Sequence, residues 1–131
     1  QSQVIGNPCT ISQHAALAIC GGDHRDELAR RMREFDARRD YLIRSIAEID
    51  GLDLAPPRGS FYALVDARAL CEARSIDDVE LAQQLLEREF VATVPGSAFA
   101  IPGFIRLSYA TSMEELEKAM PRLRHYAENR A

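Results

Sequence analysis

The chain is expected to fold as an α/β layer, α+β-like in its order: a short sheet with helices packed on it, preceded by two helices. Three patterns carry this expectation. From about residue 51 the segments run strand, helix, strand, strand, helix, the order of a small sheet covered by helices. Ile105-Arg106-Leu107-Ser108-Tyr109-Ala110 alternates strictly, with Ile105, Leu107 and Tyr109 on one side and Phe104, Arg106 and Ser108 on the other. Leu28, Met32, Phe35, Arg39, Leu42, Ile46 and Ile49 recur at steps of four and three, which keeps them on one helical stripe for about six turns.

The elements follow in order. Asn7-Pro8 predicts a helix start, with Asn as N-cap and Pro at the first helical position, and Gly21-Gly22 predicts its end. Ile11, Ala15, Leu17, Ala18 and Cys20 form its apolar side, and Cys20 is expected in the core. The second helix places Asp26 and Glu27 at the positive end of its dipole and stops at Asp50-Gly51. Its one polar stripe member, Arg39, is expected to snorkel from the core edge. Pro56-Pro57-Arg58-Gly59 is a turn, and residues 60–66 have strand composition. Ser75-Ile76-Asp77-Asp78 resembles a capping box and opens a helix through Phe90, with Leu81, Leu85 and Leu86 inward. Residues 91–94 form a short strand closed by Pro95-Gly96, and residues 104–109 form the next one. Ser112-Met113-Glu114-Glu115 caps the last helix, which turns Leu116, Met120, Leu123 and Ala127 inward and is expected to kink at Pro121.

Composition narrows the function. At 131 residues, 47% apolar and 27% charged, the chain has the make-up of one ordinary globular domain. A net charge of −4 argues against nucleic acid as a partner. All but one of the 16 basic residues are arginines interleaved with acids, as in Arg30-Arg31-Met32-Arg33-Glu34, which reads as a solvated helix face. No apolar run approaches the ~20 residues that span a bilayer. Cys9, Cys20 and Cys71 are odd in number and have no zinc spacing, so reduced thiols and a cytoplasmic setting are expected. His14, His24 and His125 cluster with nothing in sequence and take structural or surface roles. Ser97 has no histidine and acid at nucleophile spacing. Gln1 to Ile5 carries no initiator methionine, cap or turn, as though the chain continued from a preceding segment.

Arg106 is the candidate with the clearest chemistry. A guanidinium on a rigid strand presents planar donors that match both oxygens of a carboxylate, and its charge does not titrate away. The plain alternative is an edge-strand arginine in a surface ion pair of little energetic weight. Tyr62 and Tyr109 read first as core or edge aromatics.

Five motifs in order resemble the class I/II pyridoxal-phosphate aminotransferases. They are the Asn7-Pro8 to Ser12-Gln13 helix start, Arg38-Arg39-Asp40-Tyr41-Leu42, Pro57-x-Gly59-Ser60-Phe61-Tyr62, Val94-Pro95-Gly96-Ser97-Ala98-Phe99, and Ile105-Arg106-Leu107-Ser108-Tyr109-Ala110. The similarity covers nearly the whole chain and lies nearest the bacterial aspartate-aminotransferase-like enzymes. It implies fold type I, with this chain as its C-terminal, small-domain part. Residues 1–22 would end the large cofactor-binding domain, 23–50 would form a long interdomain helix, and 51–131 the small domain. The resemblance implies that Arg106 grips the substrate α-carboxylate, that Phe61 lies near it, and that Asn7 reaches toward the cofactor of the partner subunit in a homodimer. Gly6 stands where many relatives have serine, so no hydroxyl contact is expected there.

The implied activity is transfer of an amino group between an amino acid and a 2-oxo acid with pyridoxal phosphate. That chemistry needs a Schiff-base lysine, an aspartate for the pyridine nitrogen and phosphate-binding groups, which in the family lie upstream of the region matched. The one lysine, Lys118, sits four residues from Glu114 and three from Glu115 and reads as their ion-pair partner. No glycine-rich phosphate cradle is present. The fragment alone is therefore expected to be inactive and to bind no cofactor. The same domain also serves other fold type I enzymes, namely lyases, decarboxylases and synthases. A free-standing, non-catalytic α/β interaction module is the alternative of another class. With nothing covering its opening helix, such a module would expose an apolar patch and self-associate.

Overall fold

The computed structural model describes residues 6–129. The opening residues 1–5, read above as continuing from a preceding segment, lie outside the described residues. The chain divides into two compact units, one ending at Arg33 and the other beginning at Glu34.

The first unit holds helix α1 (Thr10–Gly21) and the opening turns of α2 (Arg25–Ala47). Helix α1 starts at Thr10 rather than at Asn7-Pro8. Cys9 occupies the N-cap with φ −56° and ψ 134°, an extended conformation that the helix cannot pass through. Its carbonyl accepts the Gln13 amide at 3.0 Å, while Gln13 Nε2 donates to the Pro8 carbonyl at 2.7 Å. No residue of α1 is buried. Cys20 is therefore exposed, not a core residue. Glu27 ties the start of α2 by pairing with Arg30 at 2.9 Å and Arg31 at 2.7 Å, the neighbours three and four residues on.

The second unit takes the rest of α2, whose stripe changes character along its length. Leu28 and Met32 are exposed, Phe35 is half-buried, and Leu42 and Ile46 are fully buried. Ile49, just past the helix end, is buried as well. Arg39 holds the expected edge position, half-buried and paired with Asp36 and Asp40 at 2.9 Å each.

Strand β1 (Tyr62–Asp66) is followed by α3 (Arg68–Arg74), a helix that the sequence pattern does not announce. Seven residues are too few to set up a periodicity, yet Leu70 and Cys71 are buried. Ser75 does not cap the next helix. It ends α3 in the left-handed region (φ 55°, ψ 39°), donating its amide to Glu72 O at 3.1 Å. The N-cap of α4 (Asp78–Glu89) is Asp77, whose carboxylate accepts the Glu80 amide at 2.8 Å. Leu81 and Leu85 point inward as expected, but Leu86 is exposed. It lies ~100° round the helix from Leu85, off the stripe that Asp78, Leu81, Ala82 and Leu85 complete.

Strand β2 is shorter than expected, Val94–Pro95 alone, and a 3₁₀ turn (Gly96–Phe99) follows. Val91 is buried after a left-handed Phe90 (φ 56°), its amide bonded to Leu85 O at 3.0 Å. Strand β3 (Phe104–Ser108) lies between the other two in an antiparallel sheet of order β1-β3-β2. Arg106 pairs with Leu64 on one side and Val94 on the other, so the edge-strand alternative for Arg106 does not hold. Helix α5 (Met113–Glu128) is capped by Ser112, whose Oγ accepts the Glu115 amide at 3.2 Å, and it continues through Pro121. It buries Leu116, Met120, Leu123 and Tyr126, while Ala127 packs at the margin.

Ala63, Val65, Ile105 and Leu107 supply one face of the sheet to a single core shared with Leu42, Ile46, Leu81, Leu85, Leu116 and Leu123. The mixed α/β class is thus as expected. The opposite sheet face carries Tyr62, Leu64, Arg106 and Val94, which the core leaves half open. No described helix is long and apolar enough to cross a membrane.

Candidate functional site

The open face of the sheet is built by strand alternation. The alternation that turns Ile105 and Leu107 into the core turns Arg106 outward. The neighbouring strand brings Tyr62 diagonally across from Arg106, two residues along from the Leu64–Arg106 pair. Arg106 Cζ lies 4.2 Å from the Tyr62 ring centroid and 4.4 Å from the Phe99 ring centroid. The guanidinium is therefore held by two aromatic rings, which attract its charge and restrict its swing. No carboxylate among the described residues pairs with it. By contrast, Arg68 is joined to the Asp66 carboxylate at 2.5 Å and Arg124 to that of Glu48.

Phe61 is joined to this cluster. Its ring centroid is 4.5 Å from that of Tyr62, and it is 42% exposed. Two of the three predicted site residues, Arg106 and Phe61, are thus brought together through Tyr62. Asn7 belongs to the first unit, exposed in the irregular segment before α1.

Buried tyrosine chemistry fixes the Phe61 end. Tyr109 is 2% exposed, its amide donates to Phe61 O at 2.9 Å, and its hydroxyl donates to Ser60 O at 2.7 Å. Burial holds its phenol above the ordinary range.

The Phe99 end hangs on Asp78. Its Oδ1 accepts Ser97 Oγ at 2.6 Å and its Oδ2 accepts the Ser97 amide at 2.7 Å. Burial pushes the Asp78 carboxyl up. The Ser97 hydroxyl and amide, with the Gly103 amide, outweigh that and bring it below the usual carboxylate range.

Phe99, Asp78 and the site role of Tyr62 are not evident from the sequence. The signal for Phe99 is an aromatic residue in a Pro-Gly turn just ahead of a strand, where a core role is not available. The signal for Asp78 is the Asp77-Asp78 pair, of which a helix N-terminus needs only one as cap.

Lys118 donates to Glu114 at 2.7 Å and Glu115 at 2.9 Å. These bonds, Glu114 first, raise its pKa and hold it as an ammonium. Such a lysine does not fit a Schiff-base role, which needs a neutral amine. Among the described residues no group of His, Cys, Asp and Glu is placed to hold a metal ion. What the face is equipped to do is bind a carboxylate by a fixed, unpaired guanidinium with aromatic walls.

The chain is similar to known aminotransferases. The aspartate aminotransferase of Bacillus subtilis is 38% identical over 129 residues, covering 97% of this chain and 32% of that protein. The crystal structure of the aspartate aminotransferase from Rhizobium meliloti superposes with a TM-score of 0.89 at 36% identity, over 97% of this chain and 33% of that one. An alanine aminotransferase from Pyrococcus furiosus gives a TM-score of 0.82 at 29% identity, over 94% and 31%. The chain thus spans about a third of the length of the relatives it matches. Residues 1–123 match the family of aminotransferases of class I and II, and the chain, with its fold type I architecture, belongs to that family.

Proposed function

We propose that this chain is the small-domain part of a pyridoxal-phosphate aminotransferase and that Arg106 binds the α-carboxylate of its amino-acid and 2-oxo-acid substrates. The observation that carries the reading is the Arg106 guanidinium, 4.2 and 4.4 Å from two aromatic rings on the open sheet face, with no carboxylate of the described residues paired to it. An arginine so restrained loses little freedom on binding an anion, and its fork sets the orientation of the carboxylate. The Tyr62 ring lies against the guanidinium, and Phe61 packs on Tyr62.

The groups present do not fit the cofactor on their own, because Lys118 is engaged by two glutamates. The lysine and the phosphate contacts are therefore assigned to a cofactor-binding domain outside these residues, and the chain alone is taken to be catalytically inactive. Asn7 is assigned to the partner subunit's cofactor site. The same reading makes the whole enzyme a cytoplasmic homodimer that binds neither nucleic acid nor membrane. The similar proteins carry names for both aspartate and alanine as substrates, so the proposal extends to the α-carboxylate and not to one side chain.

The test is steady-state transamination by the full-length product of the gene that encodes this chain, wild type against Arg106→Lys. Lysine keeps the charge and loses the fork. The expected result is a fall in kcat/KM of about a hundredfold, ~3 kcal/mol, carried mainly by KM. Unchanged kinetics with Arg106→Lys would overturn the assignment.

A further inference from the structure

Asp78 is 2% exposed and is the one buried charged residue among those described. A buried carboxylate is costly unless its oxygens are fully used. Here both are used, and both by one residue of another element, Ser97. Asp78 is not needed to start its own helix, because Asp77 already caps α4. It stands in the first turn, where the helix dipole favours a negative charge.

The segment that Asp78 holds is the 3₁₀ turn Gly96–Phe99, and this turn is closed on every side. The Ile101 amide bonds to Gly96 O at 3.0 Å and the Ala100 amide to Ser97 O at 3.1 Å, with Ala100 left-handed at φ 59°. A Cβ on Gly96 would meet Ile101 O at 2.2 Å, so only glycine allows the turn to sit this deep. Phe99, the last residue of the turn, lays its ring against Arg106.

We propose that Asp78 is a positioning residue for Arg106: by gripping Ser97 at two atoms it fixes the turn that places the Phe99 ring on the guanidinium, and so sets the direction of the fork. The positional half of this inference stands on the geometry alone; its functional half rests on the reading of Arg106 as the carboxylate ligand. Asp78 touches neither substrate nor cofactor. It acts through Ser97 and Phe99, as the support behind a binding group.

The experiment has two readouts. The first is the NMR signals of the Arg106 side chain in this 131-residue chain, which the Tyr62 and Phe99 rings displace upfield. Ser97→Ala and Asp78→Ala are each expected to remove much of that displacement, while Ser97→Thr, which keeps hydroxyl and amide, retains it. Ser97→Ala removes the hydroxyl half of the grip and leaves the carboxylate its backbone amide donors, so it decides the matter if Asp78→Ala does not fold. The second readout is the full-length enzyme, where Ser97→Ala is expected to raise the substrate KM about threefold to tenfold with kcat little changed. Arg106 signals that stay displaced in Ser97→Ala overturn the proposal, whatever happens to the melting temperature. Signals that move while KM does not overturn the carboxylate reading of Arg106 and leave the positioning role standing.

Discussion

The Tyr109 hydroxyl donates to the Ser60 carbonyl at 2.7 Å, so a buried tyrosine holds the loop that leads into β1. Ser60 lies at φ 67°, a left-handed conformation that costs a non-glycine residue ~1 kcal/mol or more. The bond helps to hold Ser60 there, and Phe61 follows it directly.

Tyr109→Phe removes that bond with little change in volume. The expected loss of stability is ~1 kcal/mol, read as a lower urea midpoint at constant m-value. Hydrogen exchange at the Tyr109 amide, which donates to Phe61 O, should quicken as the segment loosens. Unaltered exchange there would show that the strand pairing holds Phe61 without the hydroxyl.

The two candidate caps of α4, Asp77 and Ser75, predict opposite outcomes. Asp77→Ala should cost ~1 kcal/mol, because the Asp77 carboxylate caps α4. Ser75→Gly should stabilise by ~0.5–1 kcal/mol, because Ser75 holds a positive φ that glycine adopts freely. Thermal or urea unfolding of both variants is the check. A loss with Ser75→Gly would restore Ser75 as the cap.

This helix start marks how far the sequence was legible. Periodicity found α2, α4, β3 and α5, because each has enough residues to repeat its pattern, and composition found β1. It missed α3, whose seven residues make barely two turns. It placed Leu86 inward because a leucine pair reads as one apolar patch, although a helix turns its neighbours apart. The side of β3 that bears Arg106 was readable from alternation alone. That β3 is central, and that Tyr62 and Phe99 meet on Arg106, depends on strand order and on a turn, neither of which leaves a periodic trace.

Acid should weaken the fold partly through Asp78. Its folded pKa is lowered: burial raises it, and the bonds from Ser97 and Gly103 outweigh burial. A group depressed on folding adds stability that is full above its unfolded value, near 3.8, and is lost as pH falls through the lower folded value. The urea midpoint of wild type is therefore expected to fall below about pH 4. Asp78→Asn should be less stable at neutral pH and should show a shallower fall in acid. Parallel curves for the two proteins would assign the acid loss elsewhere, for instance to Asp66, which the Arg68 guanidinium holds below its usual range.

The first unit predicts the behaviour of this chain in dilute solution. Helix α1 has 12 residues and buries none of them. Ile11, Leu17 and Ile19 are 80%, 70% and 64% exposed. A helix of this length is marginal in water without tertiary packing, since nucleation is costly and each added bond returns little. Its apolar side chains gain roughly 1.5–3 kcal/mol each when fully covered, so contact between copies is favoured over solvent. The 131-residue chain is expected to self-associate at micromolar concentration and to show less helix signal on dilution. Leu17→Ser with Ile19→Ser should return it to a monomer while leaving the unfolding of the second unit unchanged, because neither residue belongs to that unit's core. Sedimentation velocity across a dilution series is the measurement. A wild-type chain that stays monomeric with α1 fully helical would mean that something other than a second copy satisfies this helix.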